Sequence, residues 1–241
     1  MPDGLSNGDV ITVGFCVNNT ATVSASGWTQ EINETFTGAS LVVMTHVVTD
    51  AGSEPSSVTF TFSSAQSTNA GASAWSGADT SDPTSVIGSF ASVSVGSSIN
   101  APSITTAEDG EMAVAMCAVN SSTQVWGTAP WTGDFQTTGA QCWAQSHLAM
   151  PTAGATGTAT FQLDTKDAGA IVFSLRVGTP PSPVPDAVDD LSGTAGDGEV
   201  DLSWTEPALN GSTLLDPAYQ GRYRTAGVDP PAIMRVRAGR G

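Results

Sequence analysis

The stretches ITVGFCVNNT, Ile11 to Thr20, and MAVAMCAVNS, Met112 to Ser121, carry the reading of the fold. Laid over one another at a shift of 101 residues, Cys16 falls on Cys117 and Asn19 on Asn120. The larger side chains Ile11, Val13, Phe15 and Val17 fall on Met112, Val114, Met116 and Ala118, and the small Thr12 and Gly14 on Ala113 and Ala115. Alternation of large and small with a period of two predicts a half-buried strand with one bulky face. The same shift carries His46, in LVVMTHVV, onto His147, and Val58, Phe60 and Phe62 onto Ala159, Phe161 and Leu163. The Trp-Thr pair at Trp28 recurs at Trp131 with a shift of 103, and Ala70-Gly71-Ala72 recurs as Ala168-Gly169-Ala170 with a shift of 98. One order of features thus occurs twice: Cys strand, Trp-Thr turn, His strand, Phe strand, Ala-Gly-Ala strand. The prediction is an all-β, internally duplicated β-sandwich, jelly-roll-like, spanning residues 1–178, with halves at about 8–77 and 109–177. Neither half is expected to bury its bulky face alone. The connection, Asp79–Ser103, reads as surface loop with a turn at Asp82-Pro83 and a short strand at ASVSVG.

Composition agrees with strands and turns. The 241 residues are 39% apolar and only 12% charged, with 26 glycines, and no long run has a helical period. The formal net charge is −16, and Lys166 is the only lysine. A nucleic-acid partner needs cations to displace counterions, so none is expected. No apolar run approaches the roughly 20 residues of a membrane-crossing helix, and membrane insertion is not expected. The opening MPDGLSNGDV has no basic start or apolar core and does not read as a signal peptide.

Beyond Gly178 the composition changes. Residues 179–187 include PPSPVP, a stiff extended linker. The segment 188–241 resembles a fibronectin type III domain. Pro185, Val188 and Leu191 look like its first strand, GDGEVDLSWTEP with Val200, Leu202 and Trp204 its second, and AYQGRYR with Tyr219 and Tyr223 its third. The resemblance covers about half of such a domain, so a truncated β segment is expected, and VDPPAIMRVRAGRG reads as no strand.

Catalytic signatures are sparse. Cys16, Cys117 and Cys142 lack metal-ribbon spacing and read as buried small apolar residues, with Cys16 and Cys117 at equivalent points. His46 and His147 read as symmetry-related strand residues without a metalloprotease or triad spacing. Glu31 and Glu34 have no equivalent pair in the second half and read as solvated charge. Asp79, Ser81 and Asp82, and Asp164 with Asp167, match no calcium loop. No catalytic residue, cofactor or metal is expected. The stretch QVWGTAPWTGDFQ, Gln124–Gln136, supplies the glycan-binding candidates Trp126, Phe135 and Trp131. Trp131 has the counterpart Trp28 and suits a core or turn anchor. Trp126 and Phe135 have none and suit a ring-stacking surface in a loop.

Together PDGLSNGDVITVGF, SGWTQ, SVTFTF and GASAWSGADTSDP resemble the β-sandwich domain of tail and surface-appendage proteins of tailed bacteriophages, often followed by fibronectin type III modules. The resemblance covers Pro2 to about Val177. It implies a non-catalytic structural or host-attachment role in a virion, with other virion or cell-surface proteins, host-surface polysaccharide and further copies of the chain as partners. The family usually carries a strand before the PDG point, and an edge strand is therefore expected to be missing. The alternative is a carbohydrate-binding or spacer region of a secreted bacterial enzyme or adhesin.

Overall fold

A computed structural model describes residues 4–64, 67–121, 126–137 and 139–178, and the strand backbone of 192–195, 199–204 and 232–237. The described residues contain strands, turns and no helix. The chain divides into two units, Met1–Thr179 and Pro180–Gly241.

The first unit begins with β1 (Val10–Asn18), β2 (Val23–Ser24), β3 (Thr29–Phe36), β4 (Ala39–Val47), β5 (Thr61–Phe62) and β6 (Thr68–Trp75). A connecting pair follows, β7 (Thr84–Ile87) and β8 (Ala91–Ala101). Then come β9 (Met112–Val119), β10 (Trp126–Gly127), β11 (Thr132–Thr137), β12 (Cys142–Ala149) and β13 (Ala159–Leu175). All pairings are antiparallel. The first sheet has the order β3-β4-β1-β6, and the second contains the run β11-β12-β9-β13. β2 pairs with β5, as β10 pairs with the opening of β13. One strand order is therefore present twice. In the first half the Phe strand and the Ala-Gly-Ala strand are separate elements. In the second they are continuous in the 17-residue β13, whose pairing with β8 shifts register around Lys166.

The two sheets pack face to face, and three apolar cores result rather than one. The middle core joins Cys16, Ile32, Leu41 and Val43 of the first sheet to Val114, Met116, Trp143, Ile171 and Phe173 of the second. The first half keeps its own core of Ile11, Val13, Phe15, Val17, Val42 and Met44, packed against Phe60 and Phe62. The second half has its own around Ala115, Cys117, Ala144, Phe161, Val172 and Trp131. β1 is thus buried on both faces, not half buried, and its bulky face is covered by its own half. Burying side chains of this size is worth about 1.5–3 kcal/mol each, so the double coverage makes β1 and β9 the anchors of the unit.

Pairing registers fix which residues correspond. Thr29 opposes Thr45 at the start of β3, as Thr132 opposes His147 at the start of β11. Thr45 opposes Thr12 on β1, and His147 opposes Val114 on β9. Thr12 therefore corresponds to Val114, a shift of 102, and Phe15, not Cys16, corresponds to Cys117. Similarly Ala70, opposite Phe15, corresponds to Ala170, opposite Cys117, a shift of 100. The sequence alignment at 101 is out by one residue, and in a strand a one-residue slip exchanges the two faces. Cys16 and Cys117, and His46 and His147, are accordingly not equivalent. The small face of β1 points at the second sheet and receives its bulky face. A Cβ placed on Gly14 would stand 1.7 Å from Cζ2 of Trp143. Glycine there lets the indole seat against the β1 backbone.

Two further expectations change. The short strand expected at ASVSVG is present as part of β8, but the rest of the connection, read as loop, also contains strand: β7 and the remainder of β8 pair along β13. Ala91 and Val93 pack against β13's core while Ser92 and Ser94 are exposed, and the alternation ends at Val95, which is exposed and has a φ of 56°. In the second unit the described backbone forms an antiparallel sheet in the order β14 (Ser192–Ala195), β15 (Glu199–Trp204), β16 (Ala232–Arg237). β15 falls on the expected second strand, but β16 lies where no strand was expected. There Met234 and Val236 alternate with Arg235 and Arg237. The linker, Val188, Leu191, Tyr219 and Tyr223 lie outside the described residues.

Candidate functional site

Both halves carry an acidic residue at the same bulge. The register of β3 on β4 shifts between Gln30 and Ile32, and that of β11 on β12 between Gly133 and Phe135. Glu31 and Asp134 are the residues in between. A bulge leaves its extra residue out of the ladder and re-aims its side chain. Each carboxylate takes a hydrogen bond from the same place on the neighbouring strand: Thr45 Oγ1 donates to Glu31 Oε1 at 2.6 Å, and His147 Nδ1 meets Asp134 Oδ1. Glu31 thus has a counterpart after all. A comparison at a shift of 101 does not lay Glu31 on Asp134, because the shift along β3 and β11 is 103.

The two sites differ in what covers them. At Asp134 the space is occupied by a network that crosses from one half to the other. Gln145 Nε2 donates to Asp134 Oδ2 at 2.8 Å and to Ser73 Oγ at 2.7 Å. Trp75 Nε1 donates to Thr12 Oγ1 at 2.9 Å, and the Trp75 ring stands edge-on to His147. The Asp134–His147 pair has the form of an acid–base dyad, but Ser73 bonds Gln145 and not the imidazole. Among the described residues no hydroxyl or thiol is hydrogen-bonded to the histidine, the contact a nucleophile needs.

At Glu31 the space is open. A groove of about 520 Å³ runs between Gly27, Thr29, Glu31, Thr45 and Thr49 on one side and Thr80, Ser81, Asp82 and Pro83 on the other. The far wall is a fixed turn. Asp79 accepts from the Ser81 hydroxyl at 2.6 Å and the Ser81 amide at 2.7 Å, and these bonds hold its carboxyl below the usual range. Arg176 ties the turn to the end of β13 through Asp82 at 3.0 Å. His46 also borders the groove but is fastened. Nδ1 is 2.7 Å from Gly27 O, Nε2 is 2.9 Å from Glu54 Oε1, and the ring stacks on Trp28 at 5.1 Å. The groove therefore offers the carboxylate of Glu31, the Arg176-paired carboxylate of Asp82 and several hydroxyls. That donor set matches a polyhydroxylated ligand, whose hydroxyls both give and take hydrogen bonds.

The aromatic candidates fall elsewhere. Trp131 is buried in the core of the second half, 5% exposed, and has no face for a ligand. Phe135 is not in a loop: it lies on β11, packs into the middle core, and covers Gly71, where a Cβ would be 1.8 Å from its ring. By register it corresponds to Ile32, so it is not without a counterpart. Trp126 contributes backbone to β10, opposite Gln162, and its side chain lies outside the described part of the structure. The three cysteines are free and buried. Burial, and secondarily Cys142, push the Cys16 thiol up to about 12, and burial raises Cys117 and Cys142 too, so none is poised as a thiolate. Asp167 accepts from Ser94 Oγ and Val95 N. Among the described residues no three His, Cys, Asp or Glu side chains are grouped to hold a metal. Compared with family models, curated proteins and solved structures, the chain matches none.

Proposed function

We propose that the chain is a non-catalytic structural or host-surface attachment module of a virion, of the tail or capsid-appendage type, and that the groove beside Glu31 holds a surface polysaccharide. One observation carries the reading: an acidic bulge occurs in both halves, filled in one by Trp75 and His147 and left in the other as a hydroxyl-lined groove. A repeated unit keeps its packing where the copies agree and gains a ligand where they differ. The repeated strand order further supports descent of the halves from one duplicated unit, and the second unit is taken as a partial fibronectin type III-like spacer. The histidines are committed to structural contacts and the thiols are protonated, which favours binding over nucleophilic chemistry.

The test uses the purified chain on bacterial cells and on isolated surface polysaccharide. Saturable retention, competed by the soluble polysaccharide, is expected. Glu31→Gln, which keeps an oxygen for Thr45, and Thr80→Ala should each weaken retention about tenfold, a loss of about 1.4 kcal/mol, with the melting temperature nearly unchanged. Absence of retention by the wild-type chain on either surface overturns the attachment reading. Undiminished retention in both variants removes the groove from it.

A further inference from the structure

The end strands of the two four-stranded runs are not treated alike. β3 and β11 each carry a bulge and an acidic residue within it, Glu31 and Asp134, devices that keep a foreign strand from pairing. β13 is covered along its outer edge by β7 and β8. β6 has none of these. Its sequence, TNAGASAW, holds no charge and no proline, its pairing with β1 is without a register shift, and no described strand lies on its other edge.

Burial shows the consequence. Ala168–Leu175, the part of β13 corresponding to β6, is buried at every position. No residue of β6 is, and Thr68, Ala72 and Ala74 are exposed. The direction of the free groups follows from one bond. Asn18 N donates to Ser67 O at 2.9 Å, so alternation along the antiparallel ladder turns residues 69, 71, 73 and 75 toward β1. The amides and carbonyls of Thr68, Ala70, Ala72 and Ala74 point outward. Asn69 Oδ1 caps the Ala70 amide at 2.9 Å, leaving those of Ala72 and Ala74 on the open edge.

We propose that the edge of β6 is a strand-addition site, and that its occupant is an extended segment of another polypeptide with the chemistry of β7 and β8. The molecule itself supplies the template. On β13 the covering chain runs antiparallel, with Val93 opposite Ala168, Ala91 opposite Ala170 and Ile87 opposite Phe173, and Phe90 is laid over Gly169. Transferred by the shift of 100, the occupant's corresponding residues oppose Thr68, Ala70 and Ser73. Alternating β-branched and hydroxyl residues meet this edge with backbone hydrogen bonds and one apolar face. A second copy of β6 is the weaker partner, since an edge of alanine, glycine and serine brings little apolar surface, and both copies carry a net charge of −16.

The probe is a synthetic peptide of residues 84–93 added to the full chain, followed by residue-resolved amide exchange. Saturable binding is expected, with exchange at Ala72 and Ala74 slowed about tenfold or more. A peptide N-methylated on the amides that face β6 should lose binding, while one methylated on the alternate amides should keep it, a comparison that needs no protein variant. Ala72→Pro, which removes an outward amide and spares the β1 ladder, should abolish the protection. Four results overturn the proposal: no saturable binding at millimolar peptide, binding indifferent to which amides are methylated, protection confined to β13, or self-association without peptide that Ala72→Pro removes.

Discussion

Replacing Gly14 by alanine tests the fit between the two sheets at its tightest point. The added methyl would lie 1.7 Å from Cζ2, 2.0 Å from Cη2 and 2.6 Å from Cε2 of Trp143. Trp143 is fully buried and sits among Leu41, Met116, Ile171 and other side chains of the middle core, so the indole can move only by displacing packed neighbours. Overpacking of this kind costs about 1–3 kcal/mol. Against this stands the gain from replacing a strand glycine, about 0.5–1 kcal/mol. The clash wins because the obstacle is a locked ring system rather than the end of a flexible chain. For a unit of this size each kcal/mol moves the melting temperature by about 2–4 °C, so a fall of several degrees is expected by calorimetry. Gly154→Ala is the control, since nothing lies within 4 Å of its added Cβ. Trp143→Leu in the Gly14→Ala background should restore part of the loss, giving a coupling energy between the sites in a double-mutant cycle. A Gly14→Ala protein as stable as the wild type, or additive double mutants, would refute the placement of Trp143 on the β1 backbone.

Phe135→Ala should destabilise the chain by about 2–4 kcal/mol in chemical denaturation, because the ring packs into the middle core over Gly71, and should leave polysaccharide retention unchanged. The native thiols should resist iodoacetamide at pH 8, and all three should react after unfolding. Their raised pKa values also set a sign: stability is full below the unfolded thiol value of 9.0 and is lost as pH rises from there toward about 12, which alkaline melting curves will show. Asp79 behaves in the opposite sense. Its carboxyl is held down by Ser81, so its contribution is present at neutral pH and is lost as pH falls below the ordinary carboxylate range of 3.8. Asp79→Asn should flatten that part of the acid melting curve.

Much of the architecture was legible because turns and bulky positions recur in a fixed order, and strand order follows from that order. The faces were not legible, for a reason that lies in the packing. Alternation reports an inside and an outside only when one face is wet, and β1 and β9 are buried on both. At a seam between two similar sheets the surfaces must also be complementary, not alike. The first sheet presents Gly14 and Cys16, so the second must present Met116 and Trp143 to fill the space. Aligning the halves by side-chain size therefore matches the outer face of one to the inner face of the other, and the best-scoring shift is wrong by one. The same error paired His46 with His147, although one stacks on Trp28 in the first half's own core and the other meets Trp75 at the seam. The correspondence of Glu31 with Asp134 was missed for a related reason, since the shift along β3 and β11 is 103 and not the 101 used for the strands. One marker in the sequence did keep the true phase. Trp28 and Trp131 each pack with the core of their own half, and the threonine after each opens β3 or β11. A turn anchor is set by backbone geometry and by the half it belongs to, not by what the opposite sheet requires. In repeats that pack against each other, the register is better taken from such anchors than from the strands that form the seam.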